Sequence, residues 1–146
     1  MDNALRELYQ EVILDHSRHP RHHGVLEDAS HKAEGYNPLC GDRVTVYLKL
    51  DADGRVDDIK FQGKGCAISQ ASASMMTQLL KGRSRAEVEA LARRFTEMLH
   101  GDDTAARDAA LGDLRALAGV SRLPVRLKCA MLAWGALAEA LAAPAK

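Results

Sequence analysis

One stretch of strict alternation limits the folds open to this chain. Val44, Val46, Leu48 and Leu50 alternate with Thr45, Tyr47 and Lys49, which is the period of a strand with one buried face. Asp51-Ala52-Asp53-Gly54 is a turn signal. Val56 to Gln62 returns as a second strand. Ile59 and Phe61 share a face, and Val56 is out of phase with them, so a bulge or a late strand start is expected. This hairpin is the core of a small antiparallel sheet, which a third strand before Pro38 would complete.

The segments around the hairpin are helical in period. Leu5, Leu8, Tyr9, Val12 and Ile13 follow the spacing of an amphipathic helix, with Asp2 or Asn3 as cap and an end near His19. His16 to His23 then read as a basic, solvated turn; a second metal site there lacks a carboxylate or thiol partner nearby in sequence. Ser69 is the expected cap of the next helix, with Met75 and Leu79 inward and Gly82 ending it. Ser84-Arg85-Ala86-Glu87 is a capping box opening a helix with Val88, Leu91, Ala92, Phe95 and Leu99 inward. His100-Gly101-Asp102-Asp103 breaks it, and short helical pieces follow from Ala105 to Leu117. Pro124 suits the first turn of a last helix that is apolar nearly all round and is expected to be buried. In that helix Trp134 reads as packing whose N–H needs a partner.

Composition narrows the function classes. The 146 residues fit one domain spanning 1–146. Lys plus Arg and Asp plus Glu number 20 each, and this balance argues against a general nucleic-acid or membrane-surface binder. The start, Met1-Asp2-Asn3-Ala4, shows neither a basic flank nor an apolar run, so no signal peptide is expected. Three cysteines without a secretion signal argue against a disulfide framework and for a reducing cytoplasm.

Those three cysteines carry the chemistry. Cys40 and Asp42 flank Gly41, and side chains two apart on an extended segment point the same way. Cys66 ends the run Gly63-Lys64-Gly65, whose two glycines let the backbone come close to something at Cys66, and stands before a helix start, where the dipole favours thiolate. Cys129 lies within about two turns of the start of the last helix. Three thiolates and one carboxylate suit tetrahedral Zn²⁺. Spacing alone leaves two readings open, because no Cys-x-x-Cys pair occurs and scattered cysteines also serve as small core hydrophobes.

The stretches Tyr36-Asn37-Pro38-Leu39-Cys40-Gly41-Asp42, Gly63-Lys64-Gly65-Cys66-Ala67-Ile68-Ser69 and Pro124-Val125-Arg126-Leu127-Lys128-Cys129-Ala130 resemble the three cysteine motifs of the IscU-like iron–sulfur cluster assembly family. The opening Leu8-Tyr9, Ile13, Asp15-His16, Pro20-Arg21 and Gly24 fits as well. Scaffolds of the IscU type usually carry a histidine immediately before the third cysteine. Here that position is Lys128, and the segment between the second and third cysteines is extended around Gly101 to Val120. Both departures are similar to the SufU-type branch found with the SUF machinery.

The resemblance implies an α+β fold, a three-stranded antiparallel sheet packed by five to six helices. It also implies one Zn²⁺ per chain on Cys40, Asp42, Cys66 and Cys129, and a cytoplasmic sulfurtransferase. Its implied partners are a SufS-type, pyridoxal-phosphate-dependent cysteine desulfurase, a histidine of which replaces Cys40 on the metal, and a downstream Fe–S scaffold. Cys40 is then the sulfur acceptor, while Arg126 and Lys128 lie near the metal or the partner. The alternative within the family is a scaffold assembling a transient Fe–S cluster on the same ligands; a zinc site with a purely structural role is the other reading.

Overall fold

The computed structural model describes residues 3–39 and 41–143, with side chains from Tyr9 onward. Its centre is an antiparallel sheet of β1 (His31–Asn37), β2 (Asp42–Leu50) and β3 (Val56–Lys64), in that order. The third strand falls where the sequence places it. The bulge is present too: Lys49 faces Asp58 while Leu50 faces Val56, which leaves Asp57 as the extra residue. The turn forms because the Asp51 carboxylate accepts the N–H groups of Asp53 and Arg55, each at 2.9 Å. Val44, Val46, Leu48, Ile59 and Phe61 point to one side and are fully buried.

The helices are α1 (Asn3–Arg18), α2 (Ala67–Leu80), α3 (Arg85–Leu99), α4 (Asp103–Ala106) and α5 (Pro124–Ala142), and a 3-10 segment, Ala109–Arg122, leads into α5. Helix α5 lies on β1 and β2, and α2 packs between α5, α1 and β3. The capping box at Ser84 and Glu87 is formed in both directions. The helical pieces expected from Ala105 to Leu117 are α4 and the 3-10 segment. The latter is interrupted at Gly112, whose φ of 54° and ψ of −132° are not helical.

Three local expectations are corrected. The N-cap of α2 is Cys66 rather than Ser69. Ser69 instead sits in the first turn and donates from Oγ to the Cys66 carbonyl at 3.0 Å. Helix α5 is not buried all round, since Val125 is 74% exposed at its start. His16 is no solvated turn residue. It closes the apolar stripe of α1, is 1% exposed, and sets Nδ1 2.7 Å from Ser74 Oγ and Nε2 2.8 Å from Asp113 Oδ2. Its carboxylate partner lies 97 residues away, in the extended segment, where spacing could not reveal it.

Small polar residues let α2 sit deep. Ser72, Ser74 and Thr77 are fully buried and all bonded. Ser74 Oγ also accepts the Arg21 N–H at 2.8 Å, and Ser72 Oγ donates to the Ala130 carbonyl at 2.6 Å. A buried bond of this kind contributes roughly 1 kcal/mol net. It ties α2 to α5 one residue past Cys129. Trp134 stacks on Phe95 at 5.0 Å, but its indole N–H has no partner, contrary to the expectation for a buried tryptophan.

Two outcomes follow from this packing. Ser72→Ala should lower the unfolding free energy by about 1 kcal/mol, read as a lower urea midpoint with an unchanged slope. An unmoved midpoint would show that this bond does not hold α2 to α5. The Asp108 carboxyl is held below its ordinary value of 3.8, first by the Ala110 N–H and then by Arg94. Its ionised form is the one the fold favours, so its contribution is complete above 3.8 and is lost as pH falls through the lowered folded value. The urea midpoint of the native chain should therefore fall more steeply in acid than that of Asp108→Asn.

Candidate metal centre

Asp42 opens β2, directly opposite Asn37 at the end of β1. The connection between them is closed by the Gly41 N–H donating to the Asn37 carbonyl at 2.8 Å. Asp42 is 3% exposed. Its Oδ1 accepts the Cys66 N–H at 3.2 Å, and its Oδ2 lies 3.6 Å from Cys66 Sγ. A carboxylate from the sheet thus caps the N-terminus of α2, a helix whose own cap residue makes no side-chain capping bond. Negative charge is favoured at that end of a helix.

Two glycines make this approach possible. A Cβ on Gly63 would overlap the Arg43 carbonyl oxygen on the neighbouring strand, and one on Gly65 would overlap Ser69 Oγ and stand 2.9 Å from Asp42 Cγ. Gly65 thus brings the backbone before Cys66 close to Asp42, while Gly63 lets β3 pass close to β2.

Cys129 arrives from the second turn of α5 and is 1% exposed, whereas Cys66 is half-buried. One ligand atom each from Asp42, Cys66 and Cys129 lies within 4.8 Å of the others. These come from β2, the N-cap of α2 and α5. Cys40 lies outside the described residues. The exposed Arg126, three residues before Cys129, is set against the sulfurs of Cys129 and Cys66. Attraction to Cys66 first, and then the bond to Cys129, holds its proton above the ordinary arginine range. Lys128, on the same turn, is exposed.

A hard carboxylate oxygen beside two soft sulfurs, buried together and faced by one guanidinium, is a donor set that zinc or iron accepts. Four-coordination needs one further ligand, and Cys40 stands two residues before Asp42 in the chain. Among the described residues no other group of three His, Cys, Asp or Glu side chains converges in this way.

The chain belongs to the NifU-like N-terminal domain family, whose model matches residues 8–145. Several of its relatives are named as iron–sulfur cluster assembly scaffold proteins. The chain is 47% identical to the zinc-dependent sulfurtransferase SufU of Bacillus subtilis, over 94% of this chain and 92% of that one. It is 45% identical to the iron–sulfur cluster assembly scaffold protein IscU of Streptococcus pyogenes serotype M1, over 95% and 86%. A candidate assembly scaffold protein for the SUF system from Fervidobacterium islandicum has the same fold at a TM-score of 0.81, with 36% identity over 93% of this chain and 98% of that one. The N-terminal part of a nitrogen-fixing NifU-like protein from Brucella abortus matches at 0.83, with 28% identity over 94% of each. Both the fold and the family inferred from the three cysteine motifs are thereby established.

Gly65→Ala should push Asp42 away from the two sulfurs and weaken zinc binding at least about tenfold, as disturbance of groups supporting a ligand does. Competition with a chromophoric chelator measures this. Affinity equal to the native chain would show that Asp42 is not held in place by this contact.

Proposed function

We propose that the chain is a zinc-dependent sulfurtransferase that accepts persulfide sulfur on Cys40 from a SufS-type cysteine desulfurase. The observation that carries this reading is the convergence of Asp42, Cys66 and Cys129 from three distant segments, with ligand atoms within 4.8 Å. The kinship with a zinc-dependent sulfurtransferase at 47% identity supports it. In this reading Cys40 supplies the fourth ligand, and the whole of 1–146 is one domain. When bound, zinc holds its sulfur ligands as thiolates and shields them from oxidants.

Cys66 and Cys129 suit the anchoring role. The first is the cap of a helix and the second is buried one residue before the α2–α5 hydrogen bond. Cys40 lies between Leu39 and Gly41, in the segment joining two strands, where a ligand can leave with little disturbance of packing. As a free thiolate it attacks the outer sulfur of the partner's persulfide. The new bond joins Cys40 to that sulfur, the partner's S–S bond breaks, and the partner's cysteine departs as a thiolate. The extra sulfur stays on Cys40 as a persulfide until a downstream Fe–S scaffold or a thiol reductant removes it. Arg126 supplies positive charge to the sulfurs throughout.

The surroundings suit a docked protein. Leu39 is 75% exposed and Val125 74% exposed, each next in sequence to a motif that carries a site residue. Arg43, Lys64, Arg126 and Lys128 are exposed and flank the same motifs. Apolar contacts inside a basic fringe fit a partner face with acidic groups, and attraction of this kind is screened by salt.

Purified chain should carry about one zinc, as a four-ligand site does, and should raise the turnover of a SufS-type desulfurase. Cys40→Ala should abolish that stimulation; normal stimulation by this variant would remove Cys40 as acceptor. The stimulation should also decline with added salt. A scaffold, by contrast, would turn stably brown on anaerobic incubation with iron and sulfide, and a colourless product that keeps its zinc counts against that alternative.

A further inference from the structure

The sulfurs of Cys66 and Cys129 are unequal in a way that sulfur transfer does not use. One is half-buried and reachable; the other is 1% exposed. They lie within 4.8 Å of each other, and the guanidinium of Arg126 stands beside both. Their helices are held together by the Ser72–Ala130 hydrogen bond and the packing of α2 on α5, so the pair does not drift apart. A reachable thiolate beside a protected one is the arrangement of an attacking and a resolving cysteine.

We infer that Cys66 and Cys129 form a reversible disulfide when the chain meets a hydroperoxide, and that this bond is the oxidised state of the site. The Cys66 thiolate attacks the peroxide; an S–O bond forms, the O–O bond breaks, and hydroxide leaves. Cys66 is now a sulfenic acid. The Cys129 thiolate attacks its sulfur, an S–S bond forms, and a second hydroxide departs. Two thiolates have lost two electrons and hydrogen peroxide has gained them, leaving as two hydroxides that the buffer protonates. Forming the bond brings the two sulfurs from within 4.8 Å to the ~2.05 Å of a disulfide.

The bond would remove two of the candidate ligands at once and stop metal binding until a thiol reductant restores them. It would also spare Cys66 from the irreversible sulfinic acid. Cys40 takes no part, so oxidation would switch off the metal centre without consuming the proposed sulfur acceptor.

The test uses the full-length chain, chelator-treated and zinc-loaded, exposed to stoichiometric hydrogen peroxide without a desulfurase. Peptides are mapped under non-reducing conditions after alkylation. The expected result is one dominant Cys66–Cys129 link with Cys40 alkylated, formed fast in the chelator-treated chain and more slowly in the zinc-loaded chain with zinc released in step, and full recovery of thiols with dithiothreitol. The same link should form in Cys40→Ala, and Cys129→Ser should instead accumulate sulfinic acid on Cys66. A dominant link through Cys40, or sulfinic acid on Cys66 of the native chain without any link, would overturn the inference. Since no desulfurase is present, this result is independent of whether the chain transfers sulfur.

Discussion

Groups that carry negative charge at a metal centre repel one another when it is empty, and here three of them share a radius of less than 5 Å. The fold compensates with two sources of positive potential. The N-terminus of α2 is presented to Asp42 through the Cys66 N–H, and Arg126 is set against both sulfurs. Much of the architecture around the site serves this balance. Gly63 lets β3 pass close to β2, Gly65 leaves room for the Asp42 carboxylate, and Pro124 starts α5 so that Arg126 and Cys129 face the same point.

The same constraint accounts for the polar interior of α2. A helix that must put its first residue against the end of the sheet has to lie close to α5 and α1, and bulky side chains would hold it off. Serines and a threonine permit contact, and each finds a bonded partner: Ser72 on Ala130, Ser74 on His16, Thr77 on its own helix and on Arg21. His16 extends this arrangement to Asp113, so the longer segment before α5 is anchored to the helix that opens the chain. Buried polar groups are tolerated only when satisfied, and these are. Gln70 Nε2 and Trp134 Nε1 are exceptions among the described residues, with no bonded partner.

In the proposed function the anchoring and the reacting cysteines come from differently held segments. Cys66 caps α2 and Cys129 is buried in α5, while the chain before Cys40 carries the exposed Leu39. On that reading a single site holds a metal with some ligands and releases another to a visiting protein. The relatives divide between one named as a sulfurtransferase and others named as scaffolds.

Alternation and turn chemistry were enough to read β2, β3 and the bulge from the chain alone, because the period of a half-buried strand is a local property. The capping box of α3 and the end of α1 before Pro20 were equally local. The three cysteine motifs gave the family, and glycines beside Cys66 signalled a close approach. The partner of His16 was out of reach, since Asp113 becomes its neighbour only when the extended segment folds back, although the stripe through Val12 and Ile13 already pointed His16 inward. The cap of α2 was misread for a similar reason: Ser69 has the right side chain, but the carboxylate that reaches the helix start comes from another strand. What local sequence determined was which segments become strands and helices and which residue types could bind a metal. What the tertiary structure decided was the meeting of Asp42, Cys66 and Cys129 beside one arginine, because bringing charges together depends on the packing of α2 and α5 and not on any spacing along the chain.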